Sequence, residues 1–360
     1  VSGPTTAGPD REPGREDLAL RLASWWSDAR PVAMDVRVEG LEPAPSGFSN
    51  ETWFVDLAWR ETGGEEAQRL VLRRAPGGAA FFDDYDLHLQ FEVMKALRAG
   101  GLSVPEVYEI EDDPAVLGAP FFTMAFVDGK VASGRRPGFH GHGLFFEASV
   151  PDRRSMWFAA VEAMAEVHRF DWRSSDLANR FGNPRDASEA VAGQIRQVEQ
   201  WLGQAASLGP FPVIERALEW LRQQTPAHSA PSLLWGDARP GNLIYQGTEV
   251  AAILDWEMAG IGPAEFDLFY FLLADEVVAE LNGVPRLEGL PEREETIRAW
   301  EAGIGRPVEH RLHAEIFAAT RFAALMALVV RLSPPGLDDP RALLTDNAPT
   351  RRLDALLSKI

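Results

Sequence analysis

Three oxygen-bearing side chains lie close together in LLWGDARPGNLIYQGTEVAAILDWEMAGIGP, residues 233–263. Asp237 and Asn242 are five residues apart, and Asp255 follows the apolar run VAAIL. A carboxylate in such a loop can orient a hydroxyl group and accept its proton. An amide oxygen and a second carboxylate are hard ligands of the kind magnesium prefers, and magnesium completes its shell with water and phosphate oxygens. The set reads as a base at Asp237 and a metal pair at Asn242 and Asp255. Asp and Asn also favour plain turns, so the reading depends on what else the chain supplies.

Two further features supply it. PSGFSNE places Gly47 between two strand-like segments, where a loop could offer backbone N–H groups to phosphates; a glycine there equally suits an ordinary turn. Arg73 and Arg74, in LVLRRAP, are adjacent on a strand and must point to opposite faces. Arg73 shares its face with Val71 and is assigned inward. Lysine occurs only at Lys95, Lys130 and Lys359, so roles that usually fall to lysine fall here to arginine.

The chain that must position these groups has 360 residues, 46% of them apolar, with 11 Trp and no cysteine. That length exceeds what one hydrophobic core usually serves, so two lobes are expected. Absence of cysteine excludes disulfides, thiol catalysis and Cys-ligated zinc, and suits a reducing cytosol. The formal net charge of -19 argues against nucleic acid as partner, which needs a basic footprint, while a few arginines can still hold a phosphate. No apolar run approaches the roughly 20 residues of a membrane span, and the first residues lack a secretory pattern. A soluble, cytoplasmic protein is expected, with no membrane partner; oligomeric state is not readable.

Residues 1–15 read as a disordered lead-in. Glu16 to Ala29 carries Leu18, Leu22, Trp25 and Trp26 at helical spacing. Alternation in MDVRVEGLEP, TWFVDLAW and RLVLRRAP predicts three strands, and VPEVYEIE and PFFTMAFV predict two more. Between them, Asp86 to Ala99 reads as a helix stopped by Gly100 and Gly101. Helical periodicity dominates from about Ala132, with the boundary near Val127. The strand, loop and strand around Gly47, the strand arginine, the acidic helix and the Asp, Asn, Asp set occur in one order, with the last three placed on one pair of adjacent strands.

That order resembles the aminoglycoside phosphotransferase-like family, a branch of the protein-kinase-like fold that includes choline kinases. The residues that carry the resemblance are SGFSNETW, LVLRRAP, FEVMKAL, PFFTMAFVDG, WGDARPGN with its D-x-x-x-x-N, ILDWEMAGIGP and EFDLFYF. Within the family the chain is most similar to the group resembling the kinase-like domains of some acyl-CoA dehydrogenases. The resemblance implies an α+β, two-lobed fold, with a small antiparallel-sheet N-lobe over 16–127 and a mostly helical C-lobe over 128–360. It implies Mg-ATP-dependent phosphorylation of a hydroxyl on a small molecule. Ser46, Gly47, Phe48, Ser49 and Asn50 would cover the nucleotide phosphates, with Arg73 replacing the usual phosphate-binding lysine. Met124, Ala125 and Val127 would form the adenine-binding hinge. Asp237 would be the catalytic base, Asn242 and Asp255 would hold Mg2+, and Asp267 would brace the catalytic loop.

Two positions depart from the family pattern. Trp235 stands where most relatives have a loop-bracing histidine. The helix glutamate that normally pairs with the strand cation aligns with Gln90, while Glu92 is about 200 degrees further around the helix, so either Gln90 or a shifted Glu92 meets Arg73. These departures motivate a rival reading as a nucleotide-binding pseudokinase, a sensor or scaffold. His140 and His142 are not read as metal ligands, because no acidic or cysteine partner is nearby in sequence. His168 is read as a packed or capping residue on a helix behind the catalytic loop, and His310 and His313, on one face of a helix, take the same structural reading.

Overall fold

The computed structural model describes residues 14–44, 51–77, 80–225, 230–332 and 340–360. The chain divides into two compact units, Val1–Ala80 with Val107–Phe126 and Phe81–Glu106 with Val127–Ile360. The lead-in lies outside the described residues as far as residue 13.

Among its described residues the first unit is one sheet with a long helix packed on it and one short helix. Strands β1 (Met34–Pro43), β2 (Glu51–Glu61), β3 (Gly64–Arg74), β4 (Val107–Glu111) and β5 (Phe121–Ala125) form an antiparallel sheet in the order β1-β2-β3-β5-β4. Helix α1 (Arg15–Ala29) buries Leu22, Trp25 and Trp26 against Leu70, Leu72, Val55, Leu57 and Phe121. The Trp25 ring meets Phe121 edge-on at 4.6 Å, and its indole N–H donates to Glu111 over 2.8 Å. The wet end of the indole is thereby satisfied beside the core.

The second unit holds α2 (Leu87–Ala99), and, after the short α3 (Pro114–Leu117) of the first unit, the helices α4 (Leu144–Glu147), α5 (Val150–Arg169), α6 (Leu177–Arg180), α7 (Ala187–Gln204), α8 (Pro212–Gln223), α9 (Glu265–Asn282), α10 (Arg293–Ile304), α11 (Arg311–Arg331), α12 (Pro340–Thr345) and α13 (Ala348–Leu357). Its strands are β6 (Lys130–Val131), β7 (Ser232–Leu234), β8 (Leu243–Gln246), β9 (Glu249–Ile253) and β10 (Gly260–Gly262). They make two small sheets, β6-β8-β9 and β7 with β10.

Helix α2, expected in the N-terminal lobe, belongs instead to the second unit. The cause is visible in its contacts: Glu92 pairs with Arg180 of α6, Gly100 packs on Phe170 so closely that a Cβ would come within 2.5 Å, and the Ile253 N–H of β9 donates to Ser103. Contrary to the sequence expectation of no span-length apolar run, α11 is long and apolar enough to cross a bilayer by length and composition. Of its most apolar window 78% is buried inside the protein, and Arg321 sits within it, which fits a core helix.

One histidine of this core predicts a pH dependence. His313 of α11 is 5% exposed and lies beside the rings of Phe266 and Trp220. Burial pushes its pKa down to about 4. Unfolded chain takes up this proton near pH 6.5 and folded chain only near 4, so stability is full above about 6.5 and declines as pH falls towards 4. Denaturant unfolding at pH 5 should show a loss of about 1–3 kcal/mol relative to pH 7, and His313→Gln should flatten that slope. An unchanged slope in the variant would assign the acid sensitivity elsewhere.

Candidate active site

Asp237, Asn242 and Asp255 all belong to the second unit, but they hang from two sheets rather than one pair of adjacent strands. Asp237 follows β7, whose partner is β10 (Leu234 opposite Gly260). Asn242 and Asp255 flank the β8–β9 hairpin, where Leu243 faces Ile253. The Leu254 N–H donates to the Asn242 carbonyl over 2.9 Å, which extends the ladder by one step and holds the two loop ends together.

The loop before Asp237 is built on Gly236. Its φ is +94°, and a Cβ there would lie 2.1 Å from the Met258 carbonyl oxygen. Only glycine fits both the left-handed backbone and that approach. The buried Asp267 carboxylate, at the start of α9, accepts two successive backbone N–H groups, from Trp235 over 2.6 Å and Gly236 over 3.0 Å. Behind it, the Trp300 indole donates to His168 Nδ1 over 3.0 Å, and His168 Nε2 lies 3.2 Å from Asp267 Oδ2. Because Nδ1 is occupied as an acceptor, the proton sits on Nε2 and is donated to Asp267. A chain of buried donors thus fixes the carboxylate that fixes the loop.

Trp235, the departure from histidine, also braces. It is fully buried, and its indole N–H donates to the Leu254 carbonyl over 2.7 Å, next to Asp255. The side chain therefore ties the Asp237 loop to the Asp255 loop.

Asp237 is held on both oxygens. Oδ1 accepts from the Tyr270 hydroxyl over 3.0 Å; Oδ2 accepts from Asn242 Nδ2 over 2.6 Å and from Arg239 Nε over 2.7 Å. Burial alone would raise its pKa, but the charge and hydrogen bond of Arg239, with the bonds from Asn242 and Tyr270, outweigh burial and hold it below the usual carboxylate range. It is an ionised base, 9% exposed. Burial, together with the Asp237 charge, pushes the Tyr270 hydroxyl well up, so that it remains a donor.

Asn242 spends its amide nitrogen on Asp237, donating to the side chain and, over 3.0 Å, to the main-chain carbonyl. Its Oδ1 is left for an acceptor role. Asp255 adopts φ +67°, a left-handed backbone that Asp and Asn tolerate better than most residues. Among the described residues no group of three or more His, Cys, Asp or Glu gathers as a metal site. Two protein oxygens fit magnesium, which takes the rest of its shell from phosphate and water.

In the first unit, Arg74 is committed to structure: Nε donates to Glu51 over 2.8 Å and Nη1 to the Leu117 carbonyl over 2.7 Å. Arg73 is on the opposite face with Val71, paired across the sheet with Thr52 and Phe122, and this is the face that α1 does not cover. Met124 is opposite Val71 and on that same face, and Ala125 ends β5. Val127 opens the second unit. Ser46, Gly47, Phe48, Ser49 and Asn50 lie outside the described residues.

The two helix candidates for pairing with a cation are now distinct. Glu92 is partly exposed and bonded to Arg180 over 3.2 Å, so its register faces α6. Gln90 is fully buried; its Nε2 donates to the Tyr85 hydroxyl over 2.9 Å and its Oε1 has no hydrogen-bond partner. The histidine readings are structural as expected where contacts are seen. His140 Nε2 meets the Asp275 carbonyl at 3.0 Å and its Nδ1 accepts from Leu287 N–H, pinning the 133–143 loop to α9.

Tyr270 and Arg239 were not singled out from sequence. Tyr270 is three residues after Asp267 on α9, a spacing that puts both on one helix face, and Arg239 is inside the D-x-x-x-x-N motif.

A sequence profile of the phosphotransferase enzyme family matches residues 40–314. The chain belongs to this family. It is 30% identical over 304 residues to acyl-CoA dehydrogenase family member 10 of Mus musculus, covering 81% of this chain and 26% of that protein. It is 28% identical over 267 residues to acyl-CoA dehydrogenase family member 11 of Homo sapiens, covering 68% of this chain and 30% of that one. This phosphotransferase-family chain therefore spans under a third of the length of those relatives. Among solved structures, a candidate aminoglycoside phosphotransferase of Ralstonia eutropha JMP134 superposes with a TM-score of 0.67 at 21% identity, covering 94% of this chain and 95% of that one. An ethanolamine kinase of Plasmodium vivax gives 0.54 at 11% identity, over 93% and 88%. The fold is the protein-kinase-like fold of these phosphotransferases, with an antiparallel sheet in one unit and mostly helices in the other.

Proposed function

We propose that this family member transfers the γ-phosphoryl group of ATP, with magnesium, to a hydroxyl group of a small molecule. The observation that carries the reading is Asp237: a buried carboxylate kept ionised by three donors, on a loop whose Trp235 and Gly236 N–H groups are held by Asp267. Such a group can align an acceptor hydroxyl and take its proton as the bond to phosphorus forms. Asn242 Oδ1 and the Asp255 carboxylate would hold magnesium, which draws charge from the transferring phosphoryl group when bound. Arg239, its guanidinium against Asp237 and 39% exposed on the side chain, can neutralise charge on that group and stop the base from binding the phosphate too early. Arg73 would neutralise nucleotide phosphate, residues 46–50 would cover it, and 124–127 would receive adenine. The cysteine-free composition supports a cytoplasmic setting.

Asp255→Asn tests the metal assignment with least disturbance, because asparagine also tolerates a left-handed backbone. The magnesium concentration for half-maximal ADP formation should rise at least about tenfold; an unchanged requirement would remove Asp255 from the metal. The rival reading, a nucleotide-binding pseudokinase, drew on Gln90 and on Trp235. Its indole bond to Leu254 supplies the bracing that a histidine would give, so the substitution no longer speaks for loss of activity.

A further inference from the structure

Arg321 is a fully buried charged side chain that the chemistry above does not use. It lies midway along α11 and is 1% exposed. Among the described residues it has no carboxylate within ion-pair distance; its Nη2 donates to the Met258 carbonyl over 2.9 Å and approaches Gln197 Oε1 at 3.4 Å, its Nη1 approaches Gln194 Oε1 at 3.5 Å, and its Nε has no hydrogen-bond partner. The guanidinium carbon is 5.4 Å from the centroid of the Trp201 ring. A buried guanidinium satisfied mainly by carbonyl oxygens carries a desolvation penalty.

Its firmest attachment, to Met258, and a longer one, to Gln194, lead to the catalytic loop. The Met258 carbonyl that it grips is the atom that approaches Gly236 so closely that no Cβ could intervene. Gln194, on its other arm, covers Gly260, where a Cβ would lie 2.3 Å from the amide nitrogen. Gly260 is the residue opposite Leu234 in the strand pair that leads into Asp237. One guanidinium therefore holds both the turn above Gly236 and the strand beside it.

We propose that Arg321 is a positioning residue for phosphoryl transfer: by clamping the Met258 carbonyl and Gln194 it sets the height of the Gly236 peptide and hence the placement of the Asp237 carboxylate. This rests on the phosphotransferase reading of Asp237. Burial holds the Arg321 pKa below its ordinary value, although the Asp267 and Asp237 carboxylates favour the charged form; the guanidinium lies in the field of both buried aspartates.

The test is steady-state ADP formation from Mg-ATP by the parent, Arg321→Ala and Arg321→Lys proteins, each checked for folding by thermal melting. For Arg321→Ala, kcat should fall about 10- to 100-fold, the cost of a small misplacement of a reacting group, while KM for Mg-ATP stays within about twofold. Added guanidinium ion at low concentration should restore much of the loss, and sodium chloride at equal ionic strength should not. If the alanine variant does not fold, Arg321→Lys carries the test: its ammonium can reach the Met258 carbonyl but not both arms, so kcat should fall with KM unchanged. Parent-level kcat in a folded variant, or equal changes in kcat and KM, would overturn the proposal while leaving the phosphotransferase reading intact. No ADP from the parent itself would overturn both.

Discussion

Replacing Asp237 by asparagine is expected to leave the protein folded and able to bind Mg-ATP, and to slow phosphoryl transfer by about 100- to 10,000-fold, the usual range for loss of a positioned base. Asparagine keeps the volume. Its Oδ1 can accept from Arg239 and Asn242 as Asp237 Oδ2 does, and its Nδ2 can donate to the Tyr270 hydroxyl with that hydroxyl rotated to accept. The Arg239 and Asn242 donors thus retain a partner and the Tyr270 oxygen gains one, and the stability change should stay within about 2 kcal/mol. What disappears is the negative charge and the capacity to take a proton. Alanine would be a poorer test, since it would take from Arg239 the carboxylate that its Nε bonds. Calorimetric titration with Mg-ATP and a rate of ADP formation separate the two effects; turnover at the parent rate would take Asp237 out of the chemistry.

The second large effect is structural. Gly236→Ala must place a methyl group 2.1 Å from the Met258 oxygen and 2.5 Å from its carbonyl carbon, on a backbone with φ +94°. Neither atom is the end of a flexible chain. The turn has to move, and with it the Asp267 bonds to Trp235 and Gly236 and the Arg321 bond to Met258. A loss of about 3–5 kcal/mol is expected by denaturant unfolding. Gly247→Ala is the matched control: its φ is +61° but a Cβ there meets nothing within 4 Å, so the cost should be only the left-handed backbone, about 1–2 kcal/mol. Equal losses at the two glycines would mean that the Met258 contact is unimportant.

What the sequence reveals of this site, and what it hides, follows from the range of the contacts. Asp237, Asn242 and Asp255 are legible because their chemistry needs particular oxygen donors in one stretch of chain, and Arg73 because strand alternation separates it from Arg74. The placement of all three acceptors on one strand pair fails because β7 is three residues long and takes its partner from 260–262, a choice set by tertiary packing and not by local propensity. Arg239 was in plain view, but a search for oxygen ligands passes over a cation. Tyr270 could be found from its spacing to Asp267. Arg321 and Trp300 could not: Arg321 reaches the Met258 carbonyl and Trp300 reaches His168 from distant helices, and in sequence Arg321 is only an arginine in an apolar run. The location of α2 was misjudged for the same reason, since its ties to Arg180, Phe170 and Ile253 are all long-range.

The acceptor recognition of this chain is open to direct test, and so is the central claim of magnesium-dependent transfer. The measurement is ADP release from ATP by the parent protein across a magnesium titration, with and without a panel of hydroxyl-bearing metabolites and antibiotics, followed by mass analysis of each acceptor that accelerates it. The account predicts ADP formation that requires magnesium, is accelerated by at least one hydroxyl compound, and leaves that compound heavier by one phosphoryl group. ATP that stabilises the protein equally with and without magnesium, and yields no ADP with any acceptor, would contradict it and favour a nucleotide sensor.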